Sequence, residues 1–138
     1  MTYVFGARSS ARLAECHPDL AAVAHRALSL SLVDFSIITG HRGREAQQEA
    51  FQQGFSRVQW PNGRHNRLPS HALDFAPYPH PYSDDPRRIA RFYCIAAAFW
   101  AASKELAIPV RLGIDWDRDG EILTDQTFND LGHVELAH

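Results

Sequence analysis

The segment Gly63 to Pro77, GRHNRLPSHALDFAP, passes from an aperiodic loop into a short apolar strand, and that passage decides the fold. Gly63, Pro69 and the asparagines around them carry no periodicity, so Phe55 to Ser70 reads as a surface loop of functional or mobile character. Ala72 to Ala76 then reads as a buried strand. Inside it stands Asp74. A lone carboxylate among apolar neighbours carries a large desolvation penalty unless it is paired or bound to a cation.

Upstream of this segment the pattern is helical. Ser9 or Ser10 is placed to cap a helix through Cys16, and Pro18 to open a second helix to Ser31, with Leu20, Val23, Ala24, Ala27 and Leu28 at helical spacing. Phe35 to Thr39 reads as a strand closed by Gly40, and Arg44 to Gln53 as a helix ended by Gly54. Gly40 to Gly43 is therefore a strand-to-helix turn. Downstream, PYPHPYSDDP is a turn-rich connection to the longest helix, from Pro86 to about Leu106, with Ile89, Phe92, Tyr93, Ala96, Ala97 and Trp100 as its apolar side. Val110 to Gly113 and Gly132 to Leu136 are further strands, separated by a polar loop from Asp115 to Asp130. Helices first, then small strands with one long helix among them, predict an α+β fold: a small, mainly antiparallel sheet flanked by helices.

Composition bounds the function. At 138 residues the chain suits one domain spanning 1–138, burying roughly two-thirds of its unfolded surface. Hydrophobic residues at 45% and charged residues at 22% exclude a disordered or fibrous class. A net charge of −2 argues against a protein that neutralises phosphate backbones, so no nucleic-acid partner is expected. Cys16 and Cys94 are expected to be buried free thiols rather than a disulfide. No basic leader with an apolar run, and no apolar stretch of ~18 residues, is visible, which predicts neither secretion by signal peptide nor stable membrane insertion.

Two histidines compete to join Asp74, His65 in the loop and His71 at the strand. Strand alternation puts Ala72 and Asp74 on one face and His71 on the other, which favours His65. His133 lies in the last strand, with Asp130 three residues before it and Glu135 two residues after it on the same face. Two histidines and a carboxylate match a zinc site with one position open for water. Asp130 then offers the carboxylate such a hydrolase needs beside the water, although Glu135 can serve as that base or orient a histidine. Arg42, in the turn after Gly40, is suited to a substrate carboxylate or an oxyanion. His17, His25, His41, His80 and His138 have no carboxylate at a telling spacing and read as surface or packing residues. Asp115, Asp117, Asp119 and Gly120 mimic a calcium loop, but Gln126 stands where an EF-hand needs its bidentate Glu.

ITGHR with REAQQEAFQQG, GRHN followed by PSHALDFAPYP, RLGIDWDRDGE and DQTFNDLGHVEL occur in one order along most of the chain. In these motifs the chain resembles the zinc D,D-carboxypeptidase and L-alanyl-D-glutamate endopeptidase family, in particular phage endolysins that cut peptidoglycan stem peptides. The commoner family spacing puts the first ligand at Arg67; the variant with a longer His-Asn to Pro-Ser loop matches His65. The resemblance implies His65, Asp74 and His133 as Zn2+ ligands, Asp130 as general base, and Arg42 as the group that binds substrate or stabilises the tetrahedral intermediate. It also implies a monomer acting on the peptidoglycan stem peptide, made in the cytoplasm of an infected bacterium and released to the cell wall by a separate membrane-permeabilising protein. Cleavage of D-Ala-D-Ala by the same chemistry, a catalytically silent zinc module and a metal nuclease are the competing readings.

Overall fold

A computed structural model describes residues 3–79, 85–122 and 124–137. Four helices, α1 (Ala7–Leu13), α2 (Pro18–Leu30), α3 (Arg44–Gln52) and α4 (Arg87–Leu106), accompany four strands, β1 (Phe35–Thr39), β2 (Ala72–Pro77), β3 (Val110–Leu112) and β4 (His133–Leu136). The strand order is β1-β2-β4-β3 and every pairing is antiparallel. The expected α+β class with a small antiparallel sheet is borne out. His80 and His138, and the middle of the PYPHPYSDDP connection, lie outside the described residues.

One face of the sheet makes the core. Leu73 and Phe75 of β2, with Val134 and Leu136 of β4, are buried beneath α2 and α4, where Phe75 stacks on Phe99 at 5.1 Å between centroids. Alternation sends Ala72, Asp74, His133 and Glu135 to the opposite face, because Ala72 pairs with Glu135 and Asp74 with His133 in register. All five apolar positions assigned to α2 are buried. On α4 the buried stripe is Phe92, Ile95, Ala96, Phe99 and Ala102, whereas Ile89 and Ala97 are exposed. That is a rotation from the expected side: Ala-rich spacing left two adjacent stripes equally apolar, and Phe99 against the sheet chose between them. The same rotation exposes Cys94, contrary to the expected burial, while Cys16 is buried.

Neither Ser9 nor Ser10 caps α1, whose N-cap is Gly6. Ser9 is buried instead, its Oγ accepting the Ile37 amide at 3.0 Å, and Arg12 donates to the Ile37 carbonyl at 2.8 Å. These bonds satisfy the free edge of β1 and close it to further pairing. His17 is the N-cap of α2, its Nδ1 accepting the Asp19 amide at 3.0 Å. The tail of the long loop is not a surface feature. Gly63, His65, Asn66 and Ser70 are buried, and Ser70 is tied through its backbone to Glu15 and His17 between α1 and α2.

Candidate active site

A β-bulge starts the site. Ile37 pairs with Phe75 and Thr39 with Asp74, so Ile38 is the extra residue, and the chain leaves β1 bent toward the Asp74 face. Gly40 then passes so close to the Arg12 carbonyl that a Cβ has no room. Its own carbonyl accepts from His65 Nδ1 at 2.8 Å. With Nδ1 carrying the proton, Nε2 is the free lone pair, and it is a buried ring nitrogen with no hydrogen-bond partner. It stands 3.4 Å from Asp74 Oδ2. His133 Nδ1 is 3.5 Å from the other oxygen, Asp74 Oδ1, and 3.9 Å from Asp130 Oδ2. One donor atom from each of His65, Asp74 and His133 lies within 4.8 Å of the other two. His71 is elsewhere, its ring edge-on to His17 at 5.4 Å and near Arg67, as strand alternation requires.

Opposite charges converge at this point. Burial opposes ionisation of Asp74, yet the two imidazoles outweigh it and hold the carboxyl far below the usual range. Arg42 adds an ion pair to Asp74 at 3.2 Å. Burial likewise opposes charge on His133, but hydrogen bonds to Asp74 and Glu135 raise it to about 10. Asp130 is raised, first by burial and then by the charge of Asp74, against the pull of His133, His65 and Arg42. Glu135 is the contrasting carboxylate. Burial raises it, but His133, Arg64 and Arg111 together hold it low. Its Oε1 accepts from His133 Nε2 at 2.9 Å, and Oε2 meets Arg64 at 2.8 Å and Arg111 at 3.2 Å. Glu135 therefore orients a histidine, while Asp130 faces the cleft with its proton affinity tuned upward.

The chain matches the family described as phage L-alanyl-D-glutamate peptidase over residues 1–137. It belongs to that family. An L-alanyl-D-glutamate peptidase of Escherichia phage T5 is 36% identical over 139 residues, spanning 99% of this chain and 100% of the relative. The crystal structure of the Serratia marcescens L-Ala D-Glu endopeptidase ChiX superposes with a TM-score of 0.72 at 30% identity, over 96% of this chain and 90% of that one. The family resemblance and the reading as a peptidase are borne out.

Around the site this peptidase has a cleft of about 430 Å³ whose walls include Arg42, His65, Trp116, Phe128, Asp130 and His133. Two parts of it escaped the reading of the sequence. Gln47 on α3 is fully buried and bonds to Arg42, Asn66, Ser56 and Val58, joining the Arg42 turn to the loop wall. Its helix is otherwise polar, so nothing in the sequence distinguished it from Gln48 or Gln52. Trp116 packs on His133 at 5.2 Å and stacks on Phe128 at 6.1 Å, its indole N–H held by the Phe128 carbonyl. An indole and a phenyl ring in a polar loop were the available signal. The Asp115 carboxylate accepts the amides of Asp119 and Gly120, and among the described residues no helix flanks that loop.

Proposed function

We propose that this chain is a zinc-dependent peptidoglycan hydrolase cleaving the L-Ala–D-Glu amide of the stem peptide. The observation that carries the reading is the convergence of His65 Nε2, the Asp74 carboxylate and His133 Nδ1 beside Asp130, in a chain of this family. The donor set fits zinc: two imidazole rings anchored through their other nitrogen on the Gly40 carbonyl and on Glu135, one carboxylate, and an orphaned buried ring nitrogen on His65, with the ion taking the place of the proton that His133 Nδ1 otherwise holds toward Asp74. His65, Asp74 and His133 would hold the ion. Zinc, when bound, supplies a Lewis acid that polarises the amide carbonyl and brings the pKa of water toward about 7.

The protein's own groups do the rest. Asp130, raised by burial and by Asp74, takes the proton of the attacking water and returns it to the departing amine nitrogen. Glu135 fixes the His133 tautomer by accepting its Nε2 proton. Arg42 lines the cleft with a guanidinium only two of whose five donors are spent, on Gln47 and Asp74, and offers the others to the developing oxyanion or to the substrate. Trp116 and Phe128 form an apolar wall that shields the reacting amide from bulk water.

The same reading assigns residues 1–138 to one catalytic domain working as a monomer, with access to the cell wall provided by a separate membrane-permeabilising protein. Among the described residues no helix is long and apolar enough to cross a membrane. Mass spectrometry of muropeptides digested with zinc-loaded protein tests the reaction. Release of stem peptides cut after L-Ala is expected; loss of a terminal alanine alone would assign the D-Ala-D-Ala alternative. Asp130→Ala should keep its zinc and lose at least about a hundredfold in turnover. Unchanged turnover would remove Asp130 from the mechanism.

A further inference from the structure

Three arginines line the cleft, and two of them are committed. Arg42 bonds to Asp74 and Gln47, and Arg64 pairs with Glu135. Arg57 is exposed and has no carboxylate partner among the described residues. It is nevertheless held in place. Its guanidinium carbon stands 4.8 Å over the Phe128 ring, which stacks on Trp116, which in turn packs on His133. The residues on either side, Ser56 and Val58, are anchored by the buried Gln47 amide at 2.9 and 2.7 Å. A guanidinium held over an aromatic face by cation–π attraction keeps its N–H donors for other partners, and they form the fork that binds a carboxylate in two-point fashion.

The substrate offers such a group. Glutamate has two carboxyl groups; continuing the stem peptide uses one and leaves the other ionised beside the scissile amide, and the following residue can carry another. We propose that Arg57 is a specificity residue that binds an ionised carboxylate of the stem peptide on the glutamate side of the cleaved bond, giving preference for acidic over amidated peptides. The proposal rests on the peptidase reading above and extends it to substrate choice. Among the described residues Arg57 makes no hydrogen bond or ion pair with His65, Asp74, His133 or Asp130, so its effect is expected on binding and not on the proton transfers at Asp130.

The test uses synthetic stem peptides in three forms: fully acidic, amidated at the free glutamate carboxyl, and amidated at the carboxyl of the following residue. Wild-type protein should lose roughly tenfold or more in kcat/KM, mainly through KM, on one of the two amidations, and that arm identifies the carboxylate. Arg57→Gln should cleave acidic and amidated peptides alike, and Arg57→Lys should recover part of the preference. Equilibrium binding of the same peptides to Asp130→Asn protein, with and without Arg57→Gln, reads the preference without turnover. Discrimination in binding that vanishes with Arg57→Gln supports the proposal even if no peptide is cleaved, a result that would count against the peptidase reading alone. Equal binding of all three peptides, or discrimination that survives Arg57→Gln, overturns it.

Discussion

Replacing Gln47 by Leu keeps the side-chain volume and deletes the polar junction beneath the cleft. The amide makes four bonds: Oε1 accepts from Arg42 at 3.1 Å and Asn66 at 3.0 Å, and Nε2 donates to Ser56 at 2.9 Å and Val58 at 2.7 Å. A neutral bond nets about 1 kcal/mol and one to a charged donor about 1.5–3, which sums to about 4–6 kcal/mol. Each of the four partners keeps another bond, since Arg42 still donates to Asp74, Asn66 to the Arg42 carbonyl and Ser56 to that of Val58. The expected loss is therefore about 3–4 kcal/mol, near 10 °C in Tm for a chain of this size. Urea unfolding followed by far-ultraviolet circular dichroism measures it, with a lower midpoint at unchanged slope expected. A loss below about 1 kcal/mol would refute the reasoning, because that is what a solvated surface glutamine costs.

Other outcomes follow from the same geometry. His65→Ala should strongly lower zinc binding measured by metal analysis after dialysis, whereas His71→Ala, whose ring packs on His17, should leave it nearly intact; the reverse would reassign the first ligand. Glu135→Gln should weaken zinc binding about 10–100-fold in chelator competition, because the carboxylate that orients His133 is lost; undiminished affinity would show that Glu135 serves only Arg64 and Arg111. A thiol reagent at pH 8 should label the exposed Cys94 and spare Cys16, whose thiol is pushed up to about 12 by burial and by Glu15; intact-mass analysis showing two labels on folded protein would contradict that burial.

The antiparallel sheet and the placing of Asp74 were legible because strand periodicity is strict: a carboxylate between Leu73 and Phe75 has to face away from their core. The choice of His65 over His71 came from the same period, and the fold brings His65 beside Asp74 and His133 while His71 lies against His17. What was hidden depends on contacts distant in sequence. Ser9 looks like a cap but serves the edge of β1, since only the packing of α1 on that strand brings Ile37 to it. The Ala-rich α4 left its buried stripe undetermined until Phe99 met Phe75. Gln47 carried no signal because a buried glutamine in a polar helix is distinguished only by the partners that three other segments deliver.

The position of β4 has a kinetic consequence. It follows β3 in the chain yet lies between β2 and β3, joining residues as distant as Ala72 and Glu135. Until it inserts, β2 has a bare edge on that side and β3 has no strand partner. Such long-range closure makes folding slower than in a helical bundle, in the intermediate range of mixed helix-and-sheet domains, and exposes a sticky edge meanwhile. His133 rides on the inserting strand, so the proposed metal site is completed in the same event that closes the sheet, and recovery of zinc binding on refolding is expected to be a clock for that insertion.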